Sequence, residues 1–194
     1  MQTFSLILLS YLAGSIPFGF IFTYFSGLGD IRNLGSGNIG ATNVLRTGNK
    51  KVAALTLLCD ALKGFAPVFW VYTQDPSLVY ITGIASILGH IFPIWLCFKG
   101  GKGVATALGV YLALNPILTL ITVTVWLLVA KIGRISSLSA LVAFCLAPFF
   151  ALGLVYLQKA PATLPYFSFG LALLILFTHR SNIQRLISGT EPSA

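Results

Sequence analysis

Nine consecutive residues, Phe98-Lys99-Gly100-Gly101-Lys102-Gly103-Val104-Ala105-Thr106, set three glycines and two lysines between two apolar stretches. Charge is scarce in this chain, with 12 Lys+Arg and 4 Asp+Glu among 194 residues, so two lysines on a glycine segment need a reason. One reason is a bound anion. Glycines let the backbone turn N–H groups toward an oxyanion, and ammonium groups supply the countercharge. The other is topological, a basic turn between two membrane spans, and the segment taken alone favours that simpler explanation.

Three further patches carry polar chemistry. They are Gly35-Ser36-Gly37-Asn38-Ile39-Gly40-Ala41-Thr42-Asn43-Val44-Leu45-Arg46, the Arg134/Ser136/Ser137 turn, and His179-Arg180-Ser181-Asn182-Ile183-Gln184-Arg185 with Gly189 and Glu191 beyond it. Arg46, Lys102 and Arg185, with Ser36, Asn43, Thr106 and Asn182, are donors suited to phosphate or carboxylate oxygens. His, Cys and carboxylates show no metal-ligand spacing, and Asp30, Asp60, Asp75 and Glu191 provide poorly for magnesium. The nucleotide P-loop pattern also fails, because Gly103 follows Lys102 where Ser or Thr is required and no strand precedes it. The ligand expected is a small phosphate compound, met where acyl chains end, with no cofactor called for.

The elements that position these patches are membrane helices. A hydrophobic fraction of 57% with 8% charged residues lies far from a soluble domain's composition. Runs such as Phe4 to Phe25 and Ser137 to Leu157 are long enough to cross a hydrocarbon core of about 30 Å. The fold class expected is all-α, a polytopic bundle forming one domain over residues 1–194. Apolar segments fall at 4–25, 52–74, 77–97, 103–114, 116–130, 137–157 and 163–178, separated by Gly27/Gly29, Thr47-Gly48-Asn49, Asp75-Pro76, the glycine segment, Asn115-Pro116, Gly133 and Pro161/Pro165. The first run has no basic leader and continues past Ser15-Ile16-Pro17, unlike a cleavable signal peptide.

Charge fixes the orientation. With a break at Asn115-Pro116, every Lys and Arg except Lys159 falls on or nearest one side, whereas fusing 103–130 sends Lys131, Arg134, Arg180 and Arg185 across the membrane. The positive-inside tendency therefore favours seven segments, N-terminus outside and C-terminus cytoplasmic. A re-entrant hairpin for the short pair 103–114 and 116–130 preserves the same sidedness. The net charge of +8 is thus placed for a membrane surface and small anions, not nucleic acid. All four polar patches then share the cytoplasmic side, and orientation alone needs lysines but not Ser-Gly-Asn or His-Arg-Ser-Asn. That asymmetry favours a site.

Other residues have structural explanations. Asp60 and Lys63, one turn apart, can neutralise each other, although ionisable residues inside a membrane are functional candidates. His90 precedes Pro93 and can either satisfy freed carbonyls or act in catalysis. His179 and Arg180 fit anchors at a helix end. Ser15, Pro17 and Gly19 fit a kink, and Trp70, Tyr72, Trp95 and Tyr111 an aromatic belt. Cys59, Cys97 and Cys145 lack paired spacing and fit packing.

GSGNIGATNVLR (35–46), GHIFPIWLCFKGGKGVAT (89–106) and HRSNIQRLISGTE (179–191), with Asp60-Ala61-Leu62-Lys63-Gly64, resemble the signature segments of the PlsY family over nearly the whole chain. These are bacterial inner-membrane acyl-phosphate:glycerol-3-phosphate acyltransferases. The resemblance implies transfer of a fatty acyl group from acyl phosphate to the 1-hydroxyl of glycerol 3-phosphate, giving lysophosphatidic acid and phosphate. It further implies that Lys99, Gly100, Gly101, Lys102 and Gly103 cradle the acyl phosphate. Ser36, Arg46, Lys102 and Asn182 lie at positions expected to hold the glycerol phosphate and the transferring group, and His179 and Arg185 would shape a third side. Ser36, Arg46, Lys102, His90 and His179 are the catalytic candidates. Gly37, Asn38, Thr42, Asn43, Lys99, Gly100, Gly101, Gly103, Thr106, Ser137, Asn182 and Arg185 are the binding candidates. Membrane lipid and an enzyme that produces acyl phosphate are the expected partners.

An acyl phosphate already carries a good leaving group, so such an enzyme mainly orients, stabilises the oxyanion and excludes water. The base for the glycerol hydroxyl stays open among His90, His179, Asp60 and a phosphate oxygen of the substrate. The substrate phosphate is favoured, because the motifs show no histidine–carboxylate pair. The His-x4-Asp motif of other glycerolipid acyltransferases is absent, since Trp95 and Gln184 stand five residues after His90 and His179. A transporter for phosphorylated metabolites would explain basic loops equally well, but it should leave polar residues at mid-membrane and beyond.

Overall fold

The computed structural model describes residues 2–193, and among the described residues helix is the only extended regular structure. The helices are α1 (Gln2–Ser15), α2 (Phe18–Phe25), α3 (Ala41–Leu45), α4 (Lys50–Gln74), α5 (Val79–Ile91), α6 (Val104–Leu114), α7 (Pro116–Gly133), α8 (Ser136–Tyr156), α9 (Thr163–Thr178) and α10 (Arg180–Ile187). Thr3–Phe25, Lys50–Gln74, Pro76–Leu96, Pro116–Gly133 and Ser136–Tyr156 are long and apolar enough to cross a membrane, and α6 and α9 are shorter apolar helices. The expected all-α membrane architecture is what the chain adopts. At 1.5 Å per residue α6 rises only about 17 Å, well short of a bilayer core.

The helices pack as two compact units divided between Leu114 and Asn115. That division falls on the break the sequence marks. Asn115 is extended, its Oδ1 accepts the N–H of Leu118 at 2.9 Å, and Pro116 occupies the first helical turn. An Asn cap followed by Pro starts a helix and cannot sit inside one, so a single fused helix over 103–130 does not form.

In the first unit α4 packs on α6 and α5, and α1 on α5. The contacts are close because small residues line them: a side chain at Gly14 would collide with the backbone of Ser86, and one at Gly109 with that of Ala61. Pro17 divides the first apolar run into α1 and α2, and Lys63 Nζ donates to the Ile16 carbonyl at that break at 2.7 Å. In the second unit α8 packs on both α7 and α9. Trp70, Tyr72 and Trp95 are largely exposed, as a belt requires, but Tyr111 is fully buried and belongs to the core. Its neighbour Gly109 brings α6 against α4, which takes that face of α6 out of any interface with lipid.

Candidate functional site

Chain geometry in the first unit is set by Asn43. Its Oδ1 accepts the N–H of Ser36 at 2.8 Å, while its Nδ2 donates to the carbonyls of Ile31, Leu34 and Asn38 at 3.2, 2.9 and 2.9 Å. The side chain is almost fully buried. Sequence reasoning placed Asn43 among the binding residues; its amide instead shapes the loop that presents Ser36, which is exposed. Gly35 makes this possible, since it sits at φ +54 and any Cβ there would meet Asn43 Oδ1. Asp30 caps the preceding turn through the N–H of Arg32 and holds the Arg32 guanidinium. The side-chain hydrogen bond from Arg32 keeps the Asp30 carboxyl below the usual carboxylate range. Gly37, Asn38 and Thr42 are half-buried around the same loop, and Arg46 is exposed at the end of α3.

This loop and the glycine segment share one hydrophobic core. Ile31, Ile39, Val44, Val52, Ala53 and Leu96 are buried together, with Phe20, Phe22 and Leu28 against them. Leu96 lies three residues before Lys99, so the core ties both motifs of this unit to one scaffold.

The glycine segment is fastened to the end of α5. Phe98 N–H donates to the Pro93 carbonyl, Lys99 N–H to Leu96, Gly100 N–H to Ile91 and Gly101 N–H to His90, at 2.9 to 3.1 Å. The turn that achieves this puts Cys97 and Phe98 in the left-handed region at φ 49 and 62, a costly conformation for both. The N–H groups of 98–101 therefore face the protein. α6 starts just beyond, its first helical bond running from Ala107 N–H to the Gly103 carbonyl at 2.8 Å, so the N–H groups of its first turn lie outside the helix's own ladder. Lys99 is exposed and Lys102 half-buried ahead of that helix end, where the macrodipole also favours negative charge. Thr106 is fully buried and packs against Gly64, so its side chain serves the α4–α6 contact.

Behind the segment lies a group the motifs did not reveal. Asp60 Oδ1 is 2.8 Å from Lys63 Nζ and 3.6 Å from His90 Nδ1, and all three side chains are buried. A histidine–carboxylate pair therefore exists, assembled across α4 and α5. The alternative of His90 serving freed carbonyls is not what its ring does, since Nδ1 faces Asp60.

In the second unit the polar residues gather on one carboxylate. Ser137 Oγ and Asn182 Nδ2 each donate to Glu191 Oε1 at 2.6 Å, and Arg185 Nε donates to Oε2 at 2.7 Å. Burial works to raise the Glu191 pKa, but the hydrogen bonds from Ser137, Asn182 and Arg185 outweigh it and hold the carboxyl below its usual range. Sequence reasoning named the three donors and missed the acceptor that organises them. Asn182 keeps its Oδ1 without a hydrogen-bond partner among the described residues. His179 is buried, and its Nδ1 lies 2.9 Å from the Ile175 carbonyl. A carbonyl only accepts, so Nδ1 carries the hydrogen there.

Among the described residues no group of three or more His, Cys, Asp or Glu could hold a metal ion. Each unit by itself carries donors of the kind that suit phosphate oxygens: Ser36, Arg46, Lys99 and Lys102 in the first, and Ser137, Asn182 and Arg185 gathered on Glu191 in the second.

Comparison with known proteins agrees with this chemistry. Residues 4–189 match the profile of a family described as glycerol-3-phosphate acyltransferase. A glycerol-3-phosphate acyltransferase of Sinorhizobium medicae is 53% identical over 191 residues, covering 98% of this chain and 91% of the relative. One of Rhizobium meliloti is 50% identical over 190 residues, with the same coverage of 98% and 91%. Among solved structures, the crystal structure of PlsY (YgiH), an integral membrane glycerol 3-phosphate acyltransferase, in its glycerol 3-phosphate form superposes with a TM-score of 0.91. The two are 38% identical, and the match covers 100% of this chain and 96% of that one. Its lysophosphatidic acid form gives a TM-score of 0.89 at 37% identity, covering 100% and 95%.

Proposed function

The chain belongs to the glycerol-3-phosphate acyltransferase family, and from that premise we propose that it acylates the 1-hydroxyl of sn-glycerol 3-phosphate using acyl phosphate as donor. It is an integral membrane protein of phospholipid synthesis. The placement that fits its charge pattern is the bacterial inner membrane, N-terminus outside, with the reaction on the cytoplasmic face. The observation that carries the donor assignment is the glycine segment. A short apolar helix, α6, presents its amino end beside Lys99 and Lys102 at the close of a membrane span, a place for a headgroup of one phosphate on a fatty tail.

In the reaction the glycerol oxygen attacks the acyl carbon, and negative charge develops on the carbonyl oxygen. The carbon–oxygen bond to phosphate then breaks, releasing inorganic phosphate and lysophosphatidic acid. Lys102 and the N–H groups at the start of α6 are suited to hold the donor's phosphate and the developing charge. Ser36, Arg46 and, in the second unit, Asn182, Arg185, His179 and Ser137 are the residues on which glycerol 3-phosphate binding and orientation would depend. Asn182 Oδ1 is a buried acceptor of the kind a glycerol hydroxyl needs. The hydroxyl proton passes to a phosphate oxygen of the substrate. His90 is buried against Asp60 and the glycine segment, which supports a substrate base over that imidazole.

Such an enzyme depends on another that supplies acyl phosphate, and association with it is part of this proposal. The test is purified protein in detergent given glycerol 3-phosphate with acyl phosphate, acyl-CoA or acyl carrier protein in turn, with lysophosphatidic acid and phosphate both measured. Products from acyl phosphate alone support the assignment; products from either thioester, with acyl phosphate inert, refute it.

A further inference from the structure

Lys63 meets the α1–α2 break as well as Asp60. At that break the Ile16 carbonyl accepts the Phe18 N–H at 3.1 Å in a tight turn, and the Lys63 ammonium at 2.7 Å. The same ammonium lies 2.8 Å from Asp60 Oδ1 and 5.6 Å from the centre of the Phe18 ring. A buried lysine needs a counterion, and Asp60 is enough for that. The bond to Ile16 is a second task. The break falls inside the apolar run Thr3–Phe25, where water does not reach freed backbone groups and a neighbouring helix has to serve them.

The break decides where α2 lies. Gly19, two residues after Pro17, sits where a Cβ would collide with the Ile39 carbonyl and crowd the Thr56 methyl group. Its φ is not positive, so this contact and not its own conformation excludes a side chain. Thr56 and Lys63 are about two turns apart on α4, so one face of that helix meets both Gly19 and Ile16. Ile39 lies between Ser36 and Arg46 in the chain and is buried in the core that Phe20 and Phe22 of α2 pack against. The Asn38 carbonyl and the Ser36 N–H are both bound to the Asn43 amide, so a shift at Ile39 is carried to Ser36.

We propose that Lys63 is a positioning residue for the reaction: by fixing the α1–α2 break it sets α2, and through the Gly19–Ile39 contact it sets the loop that presents Ser36 and Arg46. Neutralising Asp60 asks only for a charge, whereas holding Ile16 asks for a donor at one point. Small displacements of orienting groups are costly to the rate. This inference rests on the reading that Ser36 and Arg46 serve the reaction.

Lys63→Met, Asp60→Asn, Lys63→Met/Asp60→Asn and Gly19→Ala test it, with kcat, thermal melts and hydrogen exchange measured on detergent-purified protein. The double variant strands no charge, so it should melt above either single variant. It should nevertheless turn over about tenfold or more below Asp60→Asn, because only Asp60→Asn keeps the ammonium on Ile16. Gly19→Ala, which leaves the ion pair intact, should lower kcat by a similar factor. Exchange should quicken over residues 35–46 in Lys63→Met and in Gly19→Ala, with α8 (Ser136–Tyr156) unchanged. A double variant at least as active as Asp60→Asn would overturn the proposal. So would wild-type kcat in Gly19→Ala, or exchange that quickens equally in both regions. Where a single variant fails to fold, the double variant is compared with wild type instead, and native kcat with native exchange over 35–46 would refute the role of Lys63. Ser36→Ala and Arg46→Ala proteins with wild-type turnover would sink the reading of that loop separately, and the exchange pattern would still decide what Lys63 does.

Discussion

Asn182 Nδ2 donates to Glu191 Oε1 across 2.6 Å, joining the third sequence motif to its own last residue. Because Ser137 and Arg185 bind the same carboxylate, Glu191 is the common support of three residues expected to handle substrate. Glu191→Ala leaves those donors without their acceptor. It should lower the melting temperature and activity together, each charge-assisted bond contributing about 1.5–3 kcal/mol. Glu191→Gln, which keeps one acceptor oxygen, should fall between. A Glu191→Ala protein with native stability and rate would show that the carboxylate organises nothing.

The same carboxylate gives a pH dependence with a definite sign. Its folded-state pKa is held below the ordinary glutamate value, so its stabilisation is present above that value and is lost as pH falls through the folded one. Thermal melts of the purified protein should therefore weaken on acidification through and below the ordinary glutamate range. Glu191→Gln should flatten that trend. An equally steep acid loss in the variant would place its origin elsewhere.

The buried Asp60–Lys63 pair predicts non-additive losses. Removing one partner strands a buried charge, which costs about 3–5 kcal/mol, whereas removing both does not. Lys63→Met and Asp60→Asn should each destabilise the protein more than Lys63→Met/Asp60→Asn does. Losses that simply add would mean the two charges are not coupled.

Asn43→Ala removes the amide that holds Ser36 and three carbonyls of the first loop. A loss of about 1–3 kcal/mol is expected from the stranded polar groups, with a rise in KM for glycerol 3-phosphate. Asn43→Asp, which cannot donate to the three carbonyls, should do no better. Wild-type stability in Asn43→Ala would remove its assigned role.

The span boundaries were legible in the sequence because local chemistry writes them. Asn115-Pro116 is a cap followed by a first-turn proline, and Ser15-Ile16-Pro17 is a break, whatever surrounds them. The motifs were legible for a similar reason, as polar glycine-rich runs in an apolar chain. What was not legible depends on tertiary approach. Asp60 and His90 sit on different helices, and Ser137 is separated from Glu191 by 54 residues. The same holds for Tyr111, which looks like a belt residue by position and is buried because a glycine two residues earlier brings α4 against α6. Nor could spacing tell that the N–H groups of 98–101 turn back onto α5, since glycines permit either direction.

Lys102→Ala should abolish acyl transfer while the protein still inserts, because the proposed reaction relies on its charge to hold the donor's phosphate. Near-normal turnover would return the glycine segment to a topological turn.

The most direct measurement is product formation by the purified wild-type protein with glycerol 3-phosphate and each acyl donor in turn. Lysophosphatidic acid and inorganic phosphate should appear in equal amounts from acyl phosphate, with neither acyl-CoA nor acyl carrier protein serving. Lysophosphatidic acid formed from a thioester donor, with acyl phosphate left unconsumed, would contradict the assignment.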